Sequence, residues 1–250
     1  MKPLPLHRLN DFIRLDRSEA EAFAGLAVDR RKHSRHGIIR SEGDPADHVY
    51  FLVEGWVACR LQAADGGRQI VKIHLPGDVL GAASLALTHA AESLVALNET
   101  SIDVIPSNRL GELFLRSPRL AAAMFLVAQQ ERIWLMDRLM SIGRTSAAQR
   151  LAAFLVSIHD RLSRIAPLAA PTFELPLSQI ELADVLGITT VHANRTIQQL
   201  EQTGMISRSG RSVTLEDLDT LCSFSGVPKR QFRSIPEWVR SIRQQALVQA

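Results

Sequence analysis

Arg195, Asn194 and His192 fall within one turn of a helix that begins with Thr189 and Thr190. All five side chains can hydrogen-bond a base edge or a phosphate. A guanidinium such as Arg195 can span guanine O6 and N7 together, worth ~1–3 kcal/mol of discrimination against other bases. Val191 has no polar atom in its side chain and suits contact with a thymine methyl. Asn194 and His192 can reach bases or phosphates. The hydroxyls of Ser178 and Thr190, with Gln179 beside a helix N-terminus, suit phosphate.

These groups need a rigid support, and the surrounding residues supply one. Ser178 with Glu181 three positions later forms a capping box that starts a helix. Gly187 supplies the left-handed position that ends it. Thr189 caps a second helix. Leu182, Leu186, Ile188, Ala193, Ile197 and Leu200 are spaced to fill the angle between the two helices, and Ala183 is small where they cross. The spacing predicts a helix-turn-helix with an apolar back and a polar front. Beyond Gly204, Met205–Arg208 and Ser212–Leu215 read as two strands joined by a Ser209-Gly210 turn, which makes a winged helix. Arg208 and Arg211 flank that turn, where a wing meets phosphates.

Bulk properties agree without being decisive. The 250 residues are 46% hydrophobic and 22% charged, an ordinary globular balance with room for one large domain or two small ones. From Arg144 onward 12 Lys/Arg stand against 9 Asp/Glu, so the whole net charge of +3 lies in the C-terminal part of the chain, which contains the winged helix. Met1 to Asn10 carries no signal-peptide core, and the longest apolar run, Leu120–Ala128, is far shorter than a membrane span. Cys59 and Cys222 stand alone, with no CxxC array. These features predict a cytoplasmic protein with free thiols, no membrane contact and no metal centre.

Along the chain, Ser18–Arg31 reads as a short helix. Six strand candidates follow: 37–40, 48–53, 56–61, 68–75, 93–97 and 101–105, separated by turns such as Glu54-Gly55 and Pro76-Gly77-Asp78. That rhythm predicts an antiparallel roll, jelly-roll-like, over residues 1–116. Ser117 as cap and Pro118 at the first position open a long helix reaching about Ser141. Phe125, Ala128, Leu135, Leu139 and Ile142 lie along one line of it, with Leu126, Ile133, Met136 and Met140 beside them. A helix so broadly apolar is expected to cover the roll on one side and a second copy of itself on the other. Residues 117–143 are therefore read as a dimerisation helix and hinge, with the break at Ser141–Thr145. Residues 144–226 are read as the winged helix-turn-helix domain, and 227–250 as a basic tail carrying Lys229, Arg230, Arg233, Arg240 and Arg243. The fold class is α+β.

The ordered set of roll, long helix, hinge and winged helix, over roughly residues 15 to 222, resembles the Crp/Fnr superfamily of bacterial transcription regulators. The resemblance implies a homodimer on double-stranded DNA with an inverted-repeat site, half-sites about one helical turn apart, and RNA polymerase as a partner. Well-studied relatives place a Glu at the position of Val191, so the half-site is expected to differ there. Members that bind cyclic nucleotides carry Gly-Glu-Leu and then Arg-Ser in their phosphate cassette. The corresponding effector-pocket residues are Gly81, Ala82, Ala83 and Ser84, then Glu92 and Ser93. Ala82 has no acceptor for a ribose. Glu92 puts an anion where a cation is needed and, unscreened by an Arg, would repel a phosphate. Cyclic AMP is thus not expected as ligand. The cysteine cluster of oxygen-sensing members is absent before Cys59.

No cofactor is expected, although His33, His36, His48, His74 and His89 leave open a haem- or metal-dependent gas or redox sensor. A protein-interaction adaptor using the winged helix is a further alternative. An enzyme of cupin type needs two His and a Glu in one strand pair and then another His; His33 and His36 lie in the lead-in to the roll, with Glu42 beyond a loop.

Overall fold

Strand β3 shows how the first half folds. All five residues from Val49 to Val53 are buried, because the strand has a core on each face. Val49, Phe51 and Val53 face a helical layer, while Tyr50 and Leu52 face the interior between two sheets.

The computed structural model describes residues 4–166, 168, 170–228, 230–232 and 235–239. In chain order the elements are α1 (His7–Asn10), α2 (Arg17–Ala24), β1 (Asp29–His33), β2 (Ile38–Arg40), β3 (His48–Glu54), β4 (Val57–Gln62), β5 (Arg68–His74) and β6 (Val79–Leu80). A 3-10 turn at Ala82–Ser84, β7 (Ser93–Ala96), β8 (Thr100–Pro106), α3 (Ser107–Arg116) and α4 (Pro118–Arg144) follow. The second half comprises α5 (Ala147–Ile165), β9 (Thr172–Glu174), α6 (Gln179–Leu186), α7 (Thr190–Gln202), β10 (Ile206–Ser209), β11 (Ser212–Leu215) and α8 (Leu218–Ser225).

Two four-stranded antiparallel sheets, ordered β1-β8-β3-β6 and β2-β7-β4-β5, make the roll; β10-β11-β9 make the wing. The α+β expectation of roll, long helix and winged helix-turn-helix holds.

Three local expectations are corrected. The helix read over Ser18–Arg31 stops at Ala24, and Asp29–His33 is strand β1. The charged run Asp-Arg-Arg-Lys-His has no apolar alternation of its own; its backbone pairing with β8, from Asp29 opposite Val104 to His33 opposite Thr100, decides its conformation. The break expected at Ser141–Thr145 lies later. Helix α4 continues through Gly143 to Arg144, and the extended residues Thr145 and Ser146 separate it from α5. Ser146 and Gln149 form a capping box that fixes this restart. In the wing, Ser209 pairs with Ser212, so the turn is Gly210-Arg211. Asp217 caps α8, which runs from Leu218 to Ser225. Of the basic tail, Lys229, Arg233, Arg240 and Arg243 lie outside the described residues.

One apolar core runs across the two halves. Trp56, Ile70, Ile73 and Leu75 of the roll pack in the same cluster as Leu151, Leu155, Leu182 and Leu186 of the helical half.

Candidate nucleic-acid interface

The two short helices are built as their end signals require. Ser178 Oγ accepts the Glu181 N–H at 3.2 Å, and Glu181 Oε2 accepts the Ser178 N–H at 2.8 Å. Gly187, at φ +68°, ends α6. Thr189 Oγ1 accepts the His192 N–H at 3.3 Å and caps α7. Ala193, Ile197 and Leu200 bury the back of α7.

The front is open. Arg195 is exposed and, with Thr189, Val191 and His192, lines one shallow surface concavity. Val191 is 63% exposed, an apolar side chain that nothing in the chain covers. Thr190 is half-buried at the start of the helix. Asn194 is tied to the neighbouring helix: its Nδ2 donates to Gln179 Oε1 at 3.1 Å. Arg208 Nε donates to Glu201 at 3.1 Å, which anchors the wing's first strand to the end of α7, while Arg211 is exposed at the wing turn.

The other side of α6 rests on the roll. Glu181 accepts from Arg60 at 2.8 Å and lies 3.6 Å from Arg35 and 3.7 Å from His36. Gln69 Nε2 donates to the Asp184 carbonyl at 2.5 Å, and Arg138 of α4 reaches carbonyls of Ile70, Val71 and Val185. These donors satisfy carbonyls at the end of α6, which has no partner of its own there. Sequence reading missed them, since nothing in an isolated Arg60 or Gln69 names a partner more than 100 positions away.

The expected effector-pocket residues also need correction. Gly81, Ser84, Glu92 and Ser93 are brought together, but Ala82 and Ala83 are exposed. Glu92 is not unscreened. Arg40 from β2 pairs with it, and Ser84 Oγ donates to its other oxygen at 2.5 Å. Ser93 Oγ accepts the Glu42 N–H at 2.9 Å. The Arg40 guanidinium packs 5.9 Å from the Tyr50 ring centre and against Gly81, where a Cβ would stand 2.8 Å from Nη1. The roll's interior thus holds a cation, but one already neutralised by its own anion. An inward Arg at the end of an apolar strand was the signal available in the sequence.

A second buried charge group joins the halves. Asp78 is contacted by Arg8 at 2.5 Å, Arg161 at 2.6 Å, Lys72 at 3.8 Å and His74 at 3.3 Å. Burial acts to raise the Asp78 carboxyl, but Arg161, Lys72 and Arg8 outweigh it and hold it well below the usual range. Burial, with Lys72 nearby, pushes His74 down to about 4. Of the remaining histidines considered for a metal or haem, His36 faces Glu181 and His48 faces Asp47, while His89 lies within hydrogen-bond distance of Thr88 Oγ1. Among the described residues no group of three His, Cys, Asp or Glu is placed to hold a metal. Burial pushes the Cys59 thiol up to about 12, so it is protonated at neutral pH. No described helix is long and apolar enough to cross a membrane.

Along α4 the line Phe125, Ala128, Leu135, Leu139 and Ile142 is exposed in the single chain, Leu139 by 74%. Leu120, Ala123 and Val127 bury the opposite side against the roll.

An antiparallel roll joined by one long helix to a winged helix is the architecture of a class of DNA-binding regulators. Residues 30–117 match the cyclic nucleotide-binding domain, and residues 149–224 the Crp-like helix-turn-helix domain. The chain is 33% identical over 193 residues to the transcriptional activatory protein AadR of Rhodopseudomonas palustris, covering 76% of this chain and 77% of that protein. It is 32% identical over 206 residues to the nitrogen fixation regulation protein FixK of Bradyrhizobium diazoefficiens, covering 81% and 84%. The solved structure of FixK2 from Bradyrhizobium japonicum superposes with a TM-score of 0.71 at 27% identity, over 82% of this chain and 98% of that one. The chain belongs to the Crp/Fnr family of transcription regulators.

Proposed function

We propose that two copies of this chain, joined along α4, place two α7 helices in successive major grooves of a duplex and read an inverted repeat. The observation that carries this is the front of α7, where Arg195, His192 and Val191 are presented together on a helix whose back is fully packed. Arg195 reads a guanine, Val191 touches a thymine methyl, and Thr189, Thr190, His192 and Asn194 supply further base or phosphate contacts. Ser178 and Gln179 at the start of α6, with Arg208 and Arg211 of the wing, lie where the phosphate backbone passes. The dimer is supported by the exposed apolar line of α4, which water would otherwise cover. RNA polymerase is the expected further partner.

The same reading holds that the roll is not controlled by cyclic AMP. Arg40 is committed to Glu92, and its guanidinium fills the space in front of Gly81. A cyclic phosphate entering there would have to break a buried ion pair before gaining its own. Haem or metal sensing and an adaptor role are less well supported, since His36 and His48 face different carboxylates and the reading face of α7 is open.

The test is selection of a duplex from random sequence by the purified protein, followed by titration across salt concentrations. An inverted repeat with half-sites about one turn apart, bound by two chains with a steep salt slope, is the expected result. Binding with no sequence preference, or by one chain per duplex, would overturn it.

A further inference from the structure

Beside the Asp78 group lies a cavity of about 480 Å3, in the size range of small-molecule sites. Its walls come from α1, the turn before β6, α4, α5, α8 and Val227, Pro228, Arg230 and Phe232, so it touches both halves of the chain. We propose that this cavity binds a small organic monoanion with an apolar body, such as an aromatic or aliphatic carboxylate.

The charge of the floor carries the anion. Arg8 and Arg161 line the cavity and are nearly fully buried. With Lys72 they make three cations, against the two anions Asp78 and Glu131. His74 adds no charge at neutral pH, since burial lowers its pKa to about 4. One positive charge is therefore left over in a region shielded from water. A buried charge without a counterion is unfavourable, and an anion in the adjoining space balances it.

The walls carry the apolar body. Trp134 lies against both guanidinium groups, which are 5.0 and 5.5 Å from its ring centre. Leu75, Val156, Leu218 and Phe232 continue the apolar lining. The remaining charges limit the ligand to one negative charge. Arg164 is paired with Asp11 at 3.0 Å and Arg230 with Asp137, so neither cation is left over. Asp160 and Asp219 stand exposed at the rim, where they repel a polyanion while solvent screens them. An occupant here touches the roll, the long helix and the winged-helix half at once, and any effect on DNA affinity would rest on the DNA-binding reading above. Binding itself does not.

The test therefore uses no DNA. The full chain is titrated with 4-phenylbutyrate, its uncharged twin 4-phenylbutyramide, and inorganic phosphate, followed by tryptophan fluorescence and calorimetry. The carboxylate is expected to saturate with a millimolar Kd, the range open to so small a ligand. The amide should bind at least tenfold more weakly, and phosphate should not saturate. Trp134→Phe should abolish the fluorescence change. Ala153→Phe, which fills the cavity and leaves every charge in place, should abolish the heat. Should that variant fail to fold by circular dichroism, Val156→Phe replaces it. Equal affinity for acid and amide, binding undiminished in the folded cavity-filled variant, or no saturation by the carboxylate each overturns the proposal. A protein that binds the carboxylate yet selects no duplex would instead contradict only the DNA-binding reading.

Discussion

Arg195 and Arg208 are both arginines on the winged-helix half, yet their surroundings assign them different work. Arg195 is exposed on the reading face, whereas Arg208 is held by Glu201 at the end of α7. Arg195→Ala is expected to cost ~1–3 kcal/mol at one base pair per half-site and to relax specificity only there. Arg208→Ala should weaken all duplexes alike and lower the salt slope by about 1. Binding measured against a set of single-base variants of the selected site separates the two. A uniform loss for Arg195→Ala would make it a phosphate contact. Arg40 and Glu92 offer a residue-scale test of a different kind. Glu92→Gln leaves a buried guanidinium without its anion and should lower stability by roughly 3–5 kcal/mol in urea unfolding. The double variant Arg40→Met with Glu92→Met should recover much of that loss, because no buried charge then remains unpaired. If the double variant is as unstable as the single, the pair is not the cause. The reading face was legible in the sequence because each of its residues is placed by local signals: Ser178, Gly187 and Thr189 act within four positions. Arg40 was not legible, because its partner Glu92 lies 52 positions away and meets it only once two strands pair.

Elements were legible in proportion to how far their conformation is set by their own residues. Helix α4 carries its start signal in Ser117-Pro118 and its apolar lines in plain view. Strand β1 does not, since Asp29–His33 is charged throughout and becomes a strand only by pairing with β8. The end of α4 was misplaced because Gly143 suggests a break, whereas the position is exposed with nothing within 4 Å of an added Cβ, so the helix continues through it at modest cost. The exposed side of α4 yields a prediction at this scale. Leu139 is 74% exposed in the single chain, so Leu139→Glu should change the subunit's own stability by no more than about 0.5 kcal/mol. On a paired helix it buries a carboxylate at an apolar seam. Sedimentation should then show a monomer with unchanged helical circular dichroism, and affinity for an inverted repeat should fall steeply. A dimer that persists with Glu at position 139 would move the interface elsewhere.

At the scale of the whole molecule, Asp78 joins what the sequence reads as separate domains. Arg8 belongs to α1, Lys72 and His74 to β5, and Arg161 to α5, and all converge on one carboxylate. This predicts how stability depends on pH. His74 has a folded pKa of about 4, below the ordinary value near 6.5, because burial opposes its charge. Between pH 6.5 and 4 the unfolded chain binds a proton there that the folded chain does not. Stability is therefore complete above pH 6.5 and declines as pH falls through that window, by up to about 3 kcal/mol from this group. Asp78, held well below the usual carboxylate range, adds its own loss only below about pH 4. His74→Gln removes this titrating ring, so the decline from pH 6.5 to 4.5 should shrink, leaving the contributions of His7 and His33, whose pKa values burial also lowers. Because the residues around Asp78 and the apolar core both span the two halves, the decline in the unaltered chain should appear as the shift of a single calorimetric transition. Two transitions, with only the roll's sensitive to pH, would mean that Arg161 does not couple the winged helix to Asp78 in solution.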